Sequence, residues 1–273
     1  MPLITITHGI GSDGVSVAKQ VAEGLGIPLY NDAKLLGAAV RMGLDVEPLQ
    51  KFKEKPPGWF ERLFGEEFDL FANLMGSVIY EAARSGEGVI VGHGSQVLLQ
   101  DFSCALHVLV VSTEERRIQN LMKQMGVSRE VAERLIRKND HESKGFFRYL
   151  FHKDWDDPSL YDVCINPGKI GLERAVQTII EMARYPELKA CNLYALDALE
   201  RFSKTKRIEA SLLEQGLQPK GLQVEMPEKG LVRISGIVEN QMSKESIAQL
   251  VKLTPGVERV DTDMLMMLPA SYD

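Results

Sequence analysis

Residues Gly9-Ile10-Gly11-Ser12-Asp13-Gly14-Val15-Ser16 fit the spacing G-x-x-x-x-G-x-[ST] between a β-rich run, Leu3–Thr7, and a helical pattern, Val15–Leu25. In that setting successive backbone N–H groups and the positive end of a helix would form a cradle for a phosphate. Glycine suits the loop because a Cβ would block the approach. Ser16 stands where a hydroxyl would join Mg²⁺, whereas Val15 stands where a lysine would reach the outer phosphates. Phosphoryl transfer runs on positioning and charge, so that valine predicts binding with weakened catalysis. Asp13 opposes a bound anion unless its side chain turns outward, and His8 beside the loop has no acidic partner in sequence. The plain alternative is a glycine-rich turn without a ligand.

A second group, Lys138, His141, Lys144, Arg148, His152 and Lys153, gathers cations in one stretch of the chain. It reads either as a set of phosphate contacts or as a solvated helix face. Seven large apolar residues, Trp59, Phe60, Leu63, Phe64, Phe68, Leu70 and Phe71, mark an insertion broken near Lys55-Pro56-Pro57-Gly58. Their spacing favours a core stripe, and a homodimer surface stays open.

The elements that must carry these groups alternate between strand and helix. Gly88–Gly92 and Ala105–Ser112 are near-continuous apolar runs, as in buried parallel strands, and Tyr161–Asn166 is a further strand. Helices are expected at Thr113–Met125, Ser128–Asn139 and Gly171–Ala183. This is the pattern of an α/β domain with a parallel sheet flanked by helices. Beyond Pro186 it becomes α+β: a helix from about Ala195 to Gln215, strands at Leu222–Met226 and Gly230–Val238, a helix at Ser243–Leu253 with Ser243 as its cap, and a strand at Val260–Met267.

At 273 residues, 44% hydrophobic and 26% charged, the chain is an ordinary globular one with room for two domains. A net charge of −6 argues against a nucleic-acid binder. No apolar run approaches the ~20 residues of a membrane span, and the N-terminus lacks the features of a signal peptide, which predicts a cytoplasmic protein. Cys104, Cys164 and Cys191 lack any C-x-x-C spacing, so neither a disulfide framework nor a zinc site is expected, and the thiols are expected to be reduced.

With the loop, Gly26-Ile27-Pro28-Leu29-Tyr30-Asn31-Asp32, Glu54-Lys55-Pro56-Pro57, Val89-Ile90-Val91-Gly92-His93-Gly94, Ser112-Thr113-Glu114-Glu115-Arg116 and Lys153–Asn166 in order, the chain resembles the cytidylate kinase-like family of P-loop nucleoside monophosphate kinases from about Ile4 to Met182. The resemblance implies a P-loop fold in which Gly9, Gly11, Ser12, Asp13, Gly14, Val15 and Ser16 cradle ATP with Mg²⁺ on Ser16. It also implies a monophosphate site at Asn31, Asp32 and His93, and a mobile lid. Arg116, Lys144 and Arg148 are the candidate catalytic cations. Four positions depart from the family pattern: Val15 replaces the loop's basic residue, Asn31 an Asp, His93 an Arg, and Glu142-Ser143 a lid arginine pair. These substitutions imply weak or lost transfer of phosphate from ATP to a nucleoside monophosphate. The rival reading is a non-catalytic nucleotide sensor or scaffold.

Val232-x-Ile234-x-Gly236-x-Val238 and Pro255-Gly256-Val257-x-x-Val260 resemble the BON domain, a small α/β module linked to protein interaction or phospholipid attachment. The expected organisation is thus a kinase-like domain at 1–185, a linker or helix at 186–201 and a BON-like domain at 202–273. A protein partner suits the acidic module better than a phospholipid surface.

Overall fold

Alternation along Leu3-Ile4-Thr5-Ile6-Thr7 decides how the first strand sits, because successive side chains face opposite sides of a sheet. The computed structural model describes residues 2–54, 65–186, 188 and 191–267. In it β1 (Leu3–His8) runs through the glycine loop into α1 (Gly14–Leu25). After β2 (Leu29–Tyr30) come α2 (Asp32–Arg41), α3 (Glu47–Glu54) and α4 (Glu66–Ala83). β3 (Gly88–Val91) leads to the short α5 (Ser95–Leu98), and β4 (Ala105–Val110) to α6 (Glu114–Met125) and α7 (Arg129–Phe151). β5 (Val163–Ile165), α8 (Pro167–Ile170) and α9 (Leu172–Ala183) complete this part.

The strand order is β2-β3-β1-β4-β5 with every pairing parallel. β1 is therefore central, and the crevice over its carboxyl end is where an open parallel sheet of this kind receives ligands. Ile4 and Ile6 meet Val17, Val21 and Ile179 on one face, while Leu3 joins Val78 and Ile79 on the other. Each buried aliphatic side chain of this kind contributes about 1.5–3 kcal/mol. Thr5 and Thr7 stay buried because each has a partner: Thr5 Oγ1 lies 2.8 Å from His107 Nδ1, and Thr7 Oγ1 donates to Gln96 Oε1 at 3.0 Å.

Burial holds the imidazole of His107 below its usual pKa, and the same is true of His8 beside the loop. The unfolded chain therefore binds protons first as pH falls below about 6.5, so stability present above that value is lost on acidification. Urea unfolding at pH 7 and pH 5 is expected to show a drop of up to about 1.4 kcal/mol per pH unit from His107. The His107→Gln variant should show a shallower loss over the same range.

Several sequence expectations are corrected. The helix expected to end at Asn139 continues to Phe151, through Lys138, His141, Lys144 and Arg148, with His152 as its C-cap. Packing overrides the roughly 1 kcal/mol cost of Gly145, since Phe146 meets Phe68 and Phe71 edge-on at 5.7 and 6.3 Å. Phe68 and Phe71 are core, as the stripe predicted, whereas Trp59, Phe60, Leu63, Phe64 and the Lys55–Gly58 break lie outside the described residues.

The last third holds α10 (Leu193–Glu214), β6 (Lys220–Glu228), β7 (Leu231–Val238), α11 (Gln241–Lys252), β8 (Arg259–Asp261) and β9 (Leu265–Met267). β7 pairs antiparallel with β6 and parallel with both β8 and β9, which split the single strand expected at Val260–Met267. Asn240, not Ser243, caps α11, its Oδ1 accepting from Ser243 N at 2.9 Å. α10 belongs to two cores at once. Leu199 and Ala210 pack with α4, while Ile208 and Leu212 pack with Val232 and Ile234 of β7. The α4–α10 contact is polar as well as apolar, since Ser203 Oγ donates to the Ser77 carbonyl at 2.9 Å in a buried setting.

The expectation of three reduced cysteines fails. Cys104 and Cys191 form a disulfide across 87 residues, and only Cys164 is free. The fold brings the start of β4 beside the start of α10, a proximity that sequence spacing does not encode. Closing so long a loop is worth about 2–4 kcal/mol. Thermal melts with and without dithiothreitol are expected to differ accordingly, and Cys191→Ser should melt at the lower temperature under both conditions.

Candidate phosphate-binding site

The glycine loop is shaped by what lies under it. Gly11 has φ +80°, and a Cβ there would stand 2.7 Å from the Arg117 carbonyl. At Gly14 a Cβ would fall 2.3 Å from the His8 ring. His8 lies against the loop as a structural group, its Nδ1 3.1 Å from the Gly9 carbonyl. Ser12 N and Oγ both donate to that same carbonyl, at 3.2 and 2.8 Å, which closes the turn.

The first-turn N–H groups of α1 have no acceptor within the helix. Asp13 occupies the N-cap in a left-handed conformation, φ 67°, yet its side chain caps none of them. Instead Asn120 Nδ2 donates to Asp13 Oδ2 at 2.9 Å and to the Gly11 carbonyl at 2.8 Å. The carboxylate that would have repelled an anion is thus held by α6.

Arg117, beside the candidate Arg116, is the cation that reaches the loop. Its Nε donates to the Ile10 carbonyl at 2.7 Å, and its two terminal nitrogens clasp Asp140 of α7 at 2.8 and 2.6 Å. Asn139 Oδ1 accepts from Ile10 N at 3.3 Å, and Ile10 packs onto the α6–α7 core of Ile118, Leu121, Ala132 and Ile136. Sequence reasoning missed Arg117, Asn120, Asn139 and Asp140. The available signal was the i, i+3 pair Arg117/Asn120 flanking buried Ile118 and Leu121.

Val15 is 63% exposed, so the position that lacks a cation opens to solvent. Lys144 and Arg148 are engaged elsewhere: Arg148 Nε binds Asp154 at 2.7 Å, Lys144 lies near enough to help hold the Asp154 carboxyl low, and among the described residues neither makes a hydrogen bond or ion pair with Gly9–Ser16. Lys138 faces Glu142 at 4.0 Å, and Lys153 donates to Gln100 at 3.0 Å. Arg116 is exposed on α6, with its stem beside Gly168. Ser112 Oγ and Asn166 Oδ1, both close to Gly168, are buried without hydrogen-bond partners. Orphaned polar atoms beside a planar cation would suit a ligand with donors and acceptors on a flat ring.

On the far side of the crevice, Asn31 is a helix cap, accepting from Lys34 N at 3.1 Å. Its neighbour Asp32 is the functional candidate, with Oδ1 2.9 Å from His93 Nε2. His93 has φ 56° between Gly92 and Gly94, which are also left-handed, an uncommon conformation for a non-glycine residue. Asp32 also lies near enough to His8 to raise its pKa against the larger lowering by burial, which puts the pair within electrostatic reach of the loop.

A parallel sheet ordered 2-3-1-4-5 with a glycine cradle at the end of its central strand defines a P-loop, kinase-like nucleotide-binding protein. The chain belongs to the cytidylate kinase-like family, whose model matches residues 3–169, and a BON domain model matches residues 204–266. A cytidylate kinase of Pyrobaculum islandicum is 26% identical over 184 residues, covering 66% of this chain and 92% of the relative. One of Archaeoglobus fulgidus is 26% identical over 187 residues, covering 68% and 97%. The crystal structure of an uncharacterized protein from Eubacterium ventriosum shares the fold, with a TM-score of 0.53 at 24% identity over 67% of this chain and 98% of that one.

Among the described residues no helix is long and apolar enough to cross a membrane, and no group of three or more His, Cys, Asp or Glu side chains could hold a metal ion.

Proposed function

We propose that the protein binds ATP with Mg²⁺ at Gly9–Ser16 and transfers its γ-phosphoryl slowly to an acceptor held beside Asp32 and His93. The observation that carries this reading is the uncapped cradle: Asn120 restrains the Asp13 carboxylate while the first-turn N–H groups of α1 keep no side-chain cap. Gly11 and Gly14 keep the backbone close to a ligand, Ser16 offers its hydroxyl to magnesium, and Arg116 with Ser112 and Asn166 would receive the donor base. Bound magnesium would neutralise charge on the outer phosphates.

Slow transfer follows from the electrostatics. Val15 brings no cation, Arg117 is committed to Asp140 and the loop carbonyl, and Arg148 is committed to Asp154. The same commitments favour the second reading, a nucleotide-responsive scaffold whose bound state is relayed to the C-terminal module through α10. Isothermal calorimetry with ATP, with and without Mg²⁺, tests the shared premise. Magnesium-dependent binding is expected, and no heat together with no thermal shift would end both readings.

A further inference from the structure

Transfer between two bound molecules needs the loops that hold them to keep one spacing, because a shift of about 1 Å between reacting groups can cost about 10²-fold in rate. One buried carboxamide touches the parts that must be kept in step. Gln96, in the first turn of α5 and 1% exposed, accepts at Oε1 from Thr7 Oγ1 at 3.0 Å and donates from Nε2 to Tyr161 Oη at 2.9 Å. Tyr161 Oη in turn donates to the Trp155 carbonyl. Thr7 lies in β1 two residues before the cradle, Gln96 stands three residues after His93, and Trp155 follows Asp154, the partner of Arg148, in the chain that returns from α7 to β5. The donor loop, the acceptor loop and this return segment therefore meet at a single side chain.

Packing alone does not call for these groups. Apolar side chains of similar shape would fill the same space, and replacing both members of a buried hydrogen-bonded pair in that way can be nearly neutral. Polar side chains that are buried and fully paired instead specify one arrangement of the elements that carry them. The Tyr161 phenol suits such a junction, because burial pushes its pKa up to about 12 and it keeps the proton it gives to Trp155. A second contact joins two of the same parts. The Phe151 ring, at the end of α7, stands 2.4 Å from where a Cβ on Gly94 would be, so α7 bears directly on the left-handed turn of Gly92, His93 and Gly94.

We infer that Gln96 is a positioning residue that holds the donor loop, the acceptor loop and the return segment in one register, so that a nucleotide in the cradle is felt at the other two. This rests on the ATP-binding reading above. A displacement at the end of β1 must either carry the carboxamide with it or break its bond to Thr7. Gln96 in turn cannot move without drawing on α5, which continues the acceptor loop, or on Tyr161. Because the network is buried and each member has a partner, breaking it leaves unpaired groups, and the register changes as a unit.

The test uses the full chain. Amide hydrogen exchange with and without ATP and Mg²⁺ should show protection in the wild type at residues 9–16, 92–98 and 153–162, and in Gln96→Leu at residues 9–16 alone. Tyr161→Phe, which removes only a hydroxyl, should uncouple 153–162 and leave 92–98 protected. With cytidine 5′-monophosphate as acceptor, Gln96→Leu should lower kcat about 10²-fold while calorimetric ATP affinity stays within about threefold. In Gln96→Glu a buried carboxyl that stays protonated repeats the donor and acceptor of the amide, so its rate relative to wild type should approach unity near about pH 6 and fall toward about pH 8. Protection confined to 9–16 in the wild type, the same protection in Gln96→Leu as in the wild type, an unchanged kcat, or equal losses of kcat and ATP affinity would each overturn the assignment. The exchange measurement needs no turnover, so it decides the assignment even where no phosphate is transferred. Failure of the wild type to bind ATP would overturn the reading beneath it, and the assignment with it.

Discussion

Replacing Val15 with lysine is expected to raise the rate of phosphoryl transfer about a hundredfold, with a smaller gain in ATP affinity. The size follows from what one aimed donor or charge is worth in a transition state, about 10²–10³ in kcat. The side chain at this position is 63% exposed at the mouth of the loop, so a lysine meets no wall and displaces no core contact. It also leaves the Arg117 and Asn120 contacts to the loop untouched, since these reach Ile10, Gly11 and Asp13. Steady-state kinetics of wild type and Val15→Lys with the same acceptor measure the effect. An increase confined to kcat would show that the missing cation acts on the transition state. Equal rates would mean that charge reaches the phosphates from elsewhere, and the valine would lose its explanatory weight.

Loss of Arg117 should have the largest structural effect at the site. Its side chain is only 12% exposed and ties three elements together: the loop through the Ile10 carbonyl, α6 by its own backbone, and α7 through Asp140. Arg117→Met keeps much of the aliphatic stem but leaves Asp140 without its bidentate partner and the Ile10 carbonyl without its donor. Removing one member of such a pair typically costs about 2–4 kcal/mol. A melting temperature lower by about 5–10 °C is expected for a domain of this size. ATP affinity should fall in parallel, because the loop would lose the group that fixes its path. Arg117→Lys should rescue little, since an ammonium cannot serve the carboxylate bidentately and the carbonyl at the same time. If Arg117→Met bound ATP normally, the loop would be shown to hold its shape without α6 and α7.

Much of this site was legible in one dimension. The β-rich run Leu3–Thr7, the glycine spacing of the loop and the helical pattern of Val15–Leu25 are local patterns, and local patterns survive in the sequence because backbone geometry repeats. The identity of Val15 as the absent cation needed no coordinates either. Even the risk posed by Asp13 was visible, together with the condition that its side chain turn away. What supplies that condition, Asn120, lies 107 residues along the chain and has no signature of its own.

The groups decided only in three dimensions share that property of distance. Asp32 and His93 are 61 positions apart, and Arg117 is joined to Ile10 across 107. Cys104 and Cys191 become a disulfide because β4 and α10 begin at the same edge of the fold. The cations of α7 illustrate the reverse: their types and clustering fitted either phosphate contacts or a solvated face, and helical geometry with the following chain gave Arg148 to Asp154. Sequence alone therefore determined which backbone would cradle a phosphate and which charge was missing from it. The tertiary structure decided which charges remain available there, because a side chain's partner is set by its neighbours in space, and a charge already paired cannot serve a ligand.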